Sequence, residues 1–337
     1  MNNLWAFLPM RESNDLLGDP AALRERLDED SYILLRQVID PARIQAIRDD
    51  VLDILCRTGW ILGGRYLADA ISCISPLSEF DEAFQDAYQE IQRLEAFHTL
   101  AHDPTLVEVM RQVVGASAFP HPLKIARLSF PANHEVSTPP HQDFPNNQGT
   151  PSLTASWIPL GDCPANQAGL AVLRGSHRHG VLGLAHHPGP GNRQAVIPTE
   201  MLAELHWVTT DFCAGDILLF PSTAVHASLN NDTDSMRLSV DYRYQMEGEP
   251  LTPIVLEPHF QRQTWDQVYE GWEHSELKYY WRDLDFEVVP FEEFPLVDGP
   301  PPEMPRDELW RHLLRQEARH NKRMERLADA GIVDRAP

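Results

Sequence analysis

A mainly β fold with helical additions, built on a sandwich or jelly-roll core, is what this 337-residue sequence predicts. Three observations carry that reading. From 120 to 246, short apolar runs alternate with Pro, Gly and Asn turns. Ahead of that stretch, apolar residues recur at helical spacing. Beyond it the chain becomes aromatic, then proline-rich, then charged. We therefore read 1–119 as a strand and helical segment, 120–246 as the β core and 247–337 as a helical extension of one domain.

Taken in order, Ser31–Ile39 reads as a strand. Asp40-Pro41 then supplies an N-cap and a first-turn proline. The following helix presents Ile44, Ile47, Val51, Ile54 and Leu55 as one apolar face. Gly63-Gly64 opens a loop reaching Ser75, and residues 85–115 predict two helices, with Asp103-Pro104 as a start signal. Leu123–Phe130, carrying Lys124 and Arg127, reads as a strand. Gly183–Met201 is a long Gly/Pro/His-rich loop, read with equal weight as an active-site lid or as plain disorder. Asp211–Phe220 predicts a turn at Gly215-Asp216 and then a buried strand leading towards His226. In Met236–Gln245 strict alternation puts Arg237, Ser239, Asp241 and Arg243 on one face and Met236, Leu238, Val240, Tyr242 and Tyr244 on the other. Trp265–Trp281 is expected to be helical, 290–305 to be a connector and 306–330 to be a charged amphipathic helix.

The chemistry lies in His141-Gln142-Asp143, followed downstream by His226 and Arg237. In an extended strand, residues two apart point the same way, so His141 and Asp143 reach one metal while Gln142 points away. The buried strand delivers His226 beside them. Two imidazoles and one carboxylate on one face of a ferrous ion leave open positions, the arrangement of non-haem iron oxygenases. Arg237 is suited to a distant carboxylate, because a planar guanidinium donates two parallel hydrogen bonds.

His141-Gln-Asp143, His226 and Arg237 resemble the phytanoyl-CoA dioxygenase family of iron(II)/2-oxoglutarate oxygenases. Trp157-Ile-Pro-Leu160, Gly169-Leu-Ala-Val-Leu-Arg-Gly-Ser-His177 and Gly215-Asp-Ile-Leu-Leu-Phe220 match its further motifs in order. The likeness spans roughly 120–246, with a weaker echo from Asp28 to Cys56. It implies a double-stranded β-helix (cupin-like jelly roll), Fe(II), O2 and 2-oxoglutarate, with His141, Asp143 and His226 as metal ligands. It further implies Arg237, Trp157 and Ser228 as co-substrate contacts. Ser239 joins them from the same strand face, and Lys124 and Arg127 are read with equal weight as a further contact or as plain structural residues. In related halogenases a small residue replaces the carboxylate, so Asp143 favours hydroxylation over halogenation, with succinate and carbon dioxide as co-products; desaturation, epoxidation or ring rearrangement would look identical from these residues.

Other metal-like patterns carry less weight. His274-Ser-Glu276 has ligand chemistry but no downstream Gly-Asp strand with a histidine, so it reads as surface or helix packing. Histidines 177, 179, 186 and 187 match no closed zinc spacing. Cysteines 56, 73, 163 and 213 show no pairing pattern and read as reduced thiols.

Fifty acidic against 28 basic residues, a net charge of −22, disfavour nucleic acid and anionic membrane. The expectation is a cytoplasmic protein, monomer or homodimer, without a signal peptide or membrane span. Two rivals remain: a cupin-like iron enzyme working without 2-oxoglutarate, and a non-catalytic ligand-binding protein. The first does not need Arg237, Trp157 and Ser228 together, and the second is expected where a ligand is missing. The substrate is expected to be a small molecule, with pocket walls from 63–75, 133–140, 146–150 and 179–192.

Overall fold

A computed structural model describes residues 7–132, 137–187, 190–298, 325, 327–329 and 331. Its first half contains β1 (Leu8–Pro9), α1 (Pro20–Asp30), β2 (Ile33–Leu35), α2 (Pro41–Arg57), α3 (Glu82–Ile91), α4 (Glu95–Thr99), α5 (Pro104–Val113), β3 (Ala118–Pro120), β4 (Ile125–Ser129) and α6 (Phe144–Asn147). There follow β5 (Thr154–Pro159), β6 (Leu170–Leu173), β7 (Leu184–His186), β8 (Arg193–Ala195), α7 (Thr199–Glu204), β9 (Trp207–Thr209), β10 (Ile217–Pro221), β11 (His226–Ser228), β12 (Arg237–Met246) and α8 (Trp265–Val268).

Two sheets face each other as a jelly roll. The larger runs β2-β10-β5-β12-β3, with β4 also paired to β12, and the smaller runs β1-β9-β6-β11. Side-chain alternation divides the core. From the larger sheet, Tyr32, Leu34, Ala155, Trp157, Leu218 and Phe220 point inward and meet Met10, Leu170, Val172 and Val208 of the smaller one. The other face of the larger sheet, including Ile217, Leu219, Leu238, Val240, Tyr242 and Tyr244, packs on the helices.

Those helices form for local reasons. Asp40 caps α2 through the Ala42 N–H, and Asp103 caps α5 through the N–H groups of Thr105 and Leu106, each with proline in the first turn. On α2, Ile44, Ile47, Val51, Ile54 and Leu55 are buried as the periodicity requires, each contributing about 1.5–3 kcal/mol. Tyr242 and Tyr244 stay satisfied in this interface by donating to the carbonyls of Phe97 and Ala101, both at 2.6 Å.

The Gly215-Asp216 turn locks β10 to β2. Gly215 has φ +92°, and a Cβ there would run into the Ile39 carbonyl oxygen. The buried Asp216 carboxylate accepts from Arg36 at 2.7 Å and from the backbone N–H groups of Gln37 and Cys213.

Three expectations need correction. The strand expected over Ser31–Ile39 is only Ile33–Leu35, because Gln37 turns to φ +49° to reach Asp216. Trp265–Trp281 is no continuous helix: α8 is one turn, Gly271 and Tyr279 have positive φ, and the N–H groups of Glu273 and His274 donate to the Glu95 carboxylate. Residues 85–115 hold a third short helix, α4. The long loop after Gly183 includes the β7–β8 hairpin, docked by the Ala195 N–H on the Pro140 carbonyl. The helix expected over 306–330 lies almost wholly outside the described residues. Among them, no helix is long and apolar enough to cross a membrane.

Candidate active site

The cleft between the sheets is lined by Arg127, Thr138, His141, Trp157, Leu170, Phe220, His226, Ser228, Arg237 and Asp241. Of the loops expected to wall it, 133–140 supplies Thr138.

His226 opens β11, and its backbone exchanges two hydrogen bonds with His141, both at 2.9 Å. That bridge puts the rings 4.1 Å apart between centroids. His141 Nδ1 lies 2.9 Å from the Pro139 carbonyl and His226 Nδ1 lies 3.1 Å from the Ala224 carbonyl. A carbonyl only accepts, so Nδ1 carries the proton and each Nε2 is left as a lone-pair donor. Both Nε2 atoms converge on Asp143 Oδ1, at 3.8 and 4.0 Å. Among the described residues, these three are the one group with ligand atoms mutually close enough, within 4.8 Å, to hold a metal.

Asp143 is not on a strand, contrary to the alternation argument. Its backbone is helical (φ −73°, ψ −30°) and it leads into α6, where the N–H groups of Asn146, Asn147 and the following Gln148 bond back to the carbonyls of 143–144. Gln142 does point away from the metal ligands, and it has work to do there. Its buried amide donates to the carbonyls of Gly180 and Thr223 and accepts from the Leu182 N–H, pinning the ligand segment to the loop before His226.

Arg243 reaches Asp143 from β12 with two donors, Nε to Oδ2 and Nη2 to Oδ1, both 3.1 Å, in a pair almost wholly shielded from water. Burial opposes ionisation of Asp143, but Arg243 and then the two histidines hold its carboxyl well below the usual carboxylate range. Burial pushes His141 down to about 3 and also lowers His226, so both are neutral and ligand-ready at physiological pH.

Arg237 is the second centre. Its Nε donates to the Ala168 carbonyl at 3.1 Å, Nη1 to Ser239 Oγ at 2.7 Å and Nη2 to Ser228 Oγ at 3.1 Å. Its guanidinium carbon lies 5.9 Å from the Trp157 ring centre. The buried cation is thus held by neutral groups. Trp157 Nε1 is also buried without a hydrogen-bond partner. A buried cation flanked by hydroxyls and an unused N–H fits a small dicarboxylate. The donor set of two imidazoles and a carboxylate likewise fits iron(II). Trp157, Ser228, Ser239 and Arg237 are therefore brought together as expected.

Lys124 and Arg127 part company. The Lys124 ammonium turns away to the carbonyls of His121 and Pro122 and the Tyr280 hydroxyl. Arg127 lines the cleft and donates to Asp241 Oδ2 at 2.7 Å. His177 is held by Ser31 and Asp28, and exposed His274 by Glu95. Sequence reasoning assigned no role to Arg243, Asp241 or Phe220, whose ring lies 4.3 Å from that of His226. The alternation of β12 contained the signal for the first two.

The sequence model of the phytanoyl-CoA dioxygenase (PhyH) family matches residues 27–239. The chain is 28% identical over 250 residues to a Streptomyces arenae protein named 1-deoxypentalenic acid 11-beta-hydroxylase, covering 71% of this chain and 86% of that protein. The Streptomyces exfoliatus protein of the same name is 24% identical over 68% of this chain and 82% of its own length. Among solved structures, the epimerase SnoN in complex with Fe3+, alpha ketoglutarate and nogalamycin RO superposes with TM-score 0.50, at 20% identity, over 70% of this chain and 88% of that one. That likeness shows the shared jelly-roll fold. On the family match and the site together, the chain belongs to the phytanoyl-CoA dioxygenase family and is an iron(II)/2-oxoglutarate-dependent oxygenase.

Proposed function

We propose that this oxygenase hydroxylates an unactivated carbon of a small molecule in natural-product tailoring or lipid-like metabolism. In this reading the whole chain is one catalytic unit. His141, Asp143 and His226 hold the iron, while Arg237, with Ser228, Ser239 and Trp157, holds the distal carboxylate of 2-oxoglutarate. The observation that carries it is the convergence of three ligand atoms in one cleft with a buried, carboxylate-free Arg237. The Streptomyces relatives named as hydroxylases support the reaction type.

When bound, iron and 2-oxoglutarate supply the oxidising power: one oxygen atom of O2 enters succinate as carbon dioxide leaves, and the other enters the substrate. The protein supplies the rest. The Pro139 and Ala224 carbonyls set the histidine tautomers. Arg243 keeps Asp143 ionised and fixes its plane. Phe220 and Leu170 make the cleft wall apolar, which excludes water and strengthens each charged contact inside.

Anaerobic titration of the apoprotein with iron(II) and 2-oxoglutarate tests the proposal through the visible metal-to-ligand charge-transfer band. The expected band needs both additions, disappears in Asp143→Ala and weakens in Arg237→Ala. Bound iron without a band would favour a cupin-like enzyme that does not use 2-oxoglutarate. No iron binding at all would leave a non-catalytic ligand-binding protein.

A further inference from the structure

The inner face of β12 carries four polar side chains in sequence, Arg237, Ser239, Asp241 and Arg243. Arg237 and Ser239 bond each other at the co-substrate end, and Arg243 grips Asp143 at the metal end. Asp241 lies between them and is about nine-tenths buried. Its Oδ2 takes Arg127 Nε, but its Oδ1, also buried, has no hydrogen-bond partner, and the residue lines the cleft.

An orphaned carboxylate oxygen costs on the order of 1–3 kcal/mol or more when nothing donates to it. The co-substrate cannot relieve that cost, because 2-oxoglutarate brings only acceptors. A donor must therefore come from another molecule in the cleft. Arg127 beside it is a poor lure for an acid. Asp241 and Glu79 are the carboxylates acting most strongly on its guanidinium, and Glu79 also accepts the Gly191 N–H. Arg243, 3.8 Å from Asp241 Oδ2, is already bound to Asp143, so each guanidinium at this corner has a carboxylate of its own and none is left free for an incoming acid.

Resting on the oxygenase reading above, we propose that Asp241 with Arg127 forms the polar subsite that orients the organic substrate. The substrate group seated there is a hydrogen-bond donor, a hydroxyl or an ammonium, and not a free carboxylate. Asp241 Oδ1 accepts from that donor, and the Arg127 bond on Oδ2 fixes the carboxylate plane, so Asp241 selects and positions without touching the metal.

The test uses three small probes on one skeleton: cyclohexanol, cyclohexylammonium and cyclohexanecarboxylate. The full-length protein is loaded with Mn(II) and 2-oxoglutarate, and paramagnetic relaxation of the probe protons is read against the same protein with Zn(II). The 2-oxoglutarate protons in the same tube report metal and co-substrate loading. The expected result is relaxation of the alcohol and the ammonium, with the carboxylate at least about tenfold weaker. In Asp241→Asn the order reverses, because Arg127 is released towards the carboxylate while the ammonium loses its partner. If the carboxylate matches or exceeds the other two, if no probe is relaxed beside strongly relaxed 2-oxoglutarate, or if a loaded Asp241→Asn protein keeps the wild-type order, the subsite is overturned and the oxygenase reading stands. If 2-oxoglutarate itself is not relaxed in the wild type, both fall.

Discussion

Replacing Arg237 by methionine separates a co-substrate anchor from an ordinary structural arginine, because the two roles predict opposite pairs of effects. The side chain is buried and makes three hydrogen bonds, all to neutral oxygens of Ala168, Ser239 and Ser228. Losing three bonds from a charged donor costs about 1.5–3 kcal/mol each. Removing a buried cation without a counter-ion returns several kcal/mol of desolvation, and burial already lowers the pKa of this guanidinium. The two contributions nearly cancel, so Arg237→Met should change unfolding free energy by no more than about 1 kcal/mol. Co-substrate binding should suffer heavily. A carboxylate held by two charge-assisted hydrogen bonds at about 1.5–3 kcal/mol each loses at least about 3 kcal/mol, roughly a hundredfold or more in Kd. Urea unfolding without co-substrate gives the first quantity, and the anaerobic charge-transfer isotherm gives the second. A variant that loses more than about 3 kcal/mol of stability while 2-oxoglutarate affinity changes less than fivefold would refute the anchor role.

Arg243→Met should lower the rate of succinate formation about ten- to a hundredfold at fixed iron, the usual effect of removing a partner that orients a metal ligand; an unchanged rate would reduce Arg243 to a filler of space. Gly215→Ala forces a side chain into φ +92° against the Ile39 carbonyl. It should cost about 2–4 kcal/mol and lower the thermal midpoint by roughly 3–6 °C, and a midpoint within about 1 °C of wild type would show that the turn yields freely. Burial lowers the Lys124 pKa to about 7, so between about pH 7 and the unfolded value near 10.4 the unfolded chain binds more protons. Stability should therefore rise with pH across that window, by on the order of a few kcal/mol relative to Lys124→Met, and parallel urea-unfolding curves for the two proteins through pH 7–10 would contradict it.

The site was legible to the extent that its chemistry follows chain period. The two-residue alternation of Arg237 to Arg243 reports directly which side chains share the inter-sheet face, and the strand then displays them there. Gly215-Asp216 was legible for a similar reason: a turn needing positive φ selects glycine, and the buried Asp216 caps it from within. Asp143 was not legible in the same way. Its helical backbone depends on α6 closing behind it and on Arg243 reaching across from β12, and neither contact is local in sequence. Trp265–Trp281 failed because its aromatic spacing suits a helix as well as the irregular cluster it forms, in which Trp265, Tyr269, Trp272 and Trp281 pack on one another while Glu95 takes the freed N–H groups.

One strand therefore connects the two halves of the chemistry. On β12, Arg237 bonds Ser239 at one end and Arg243 grips Asp143 at the other, with Asp241 between them on the same face. The other face of that strand is buried against the helices through Leu238, Val240, Tyr242 and Tyr244. A rigid strand spaces same-face residues by about 6.6–6.8 Å, so the separation between Arg237 as the proposed co-substrate anchor, Asp241 as the proposed substrate-facing carboxylate and Arg243 beside Asp143 is set by backbone geometry. Substitutions that loosen the helix-facing side, such as Tyr242→Ala, should then disturb co-substrate affinity and metal retention together, although Tyr242 touches neither; measuring both in that one variant distinguishes a shared strand from two independently supported sites, which would respond separately.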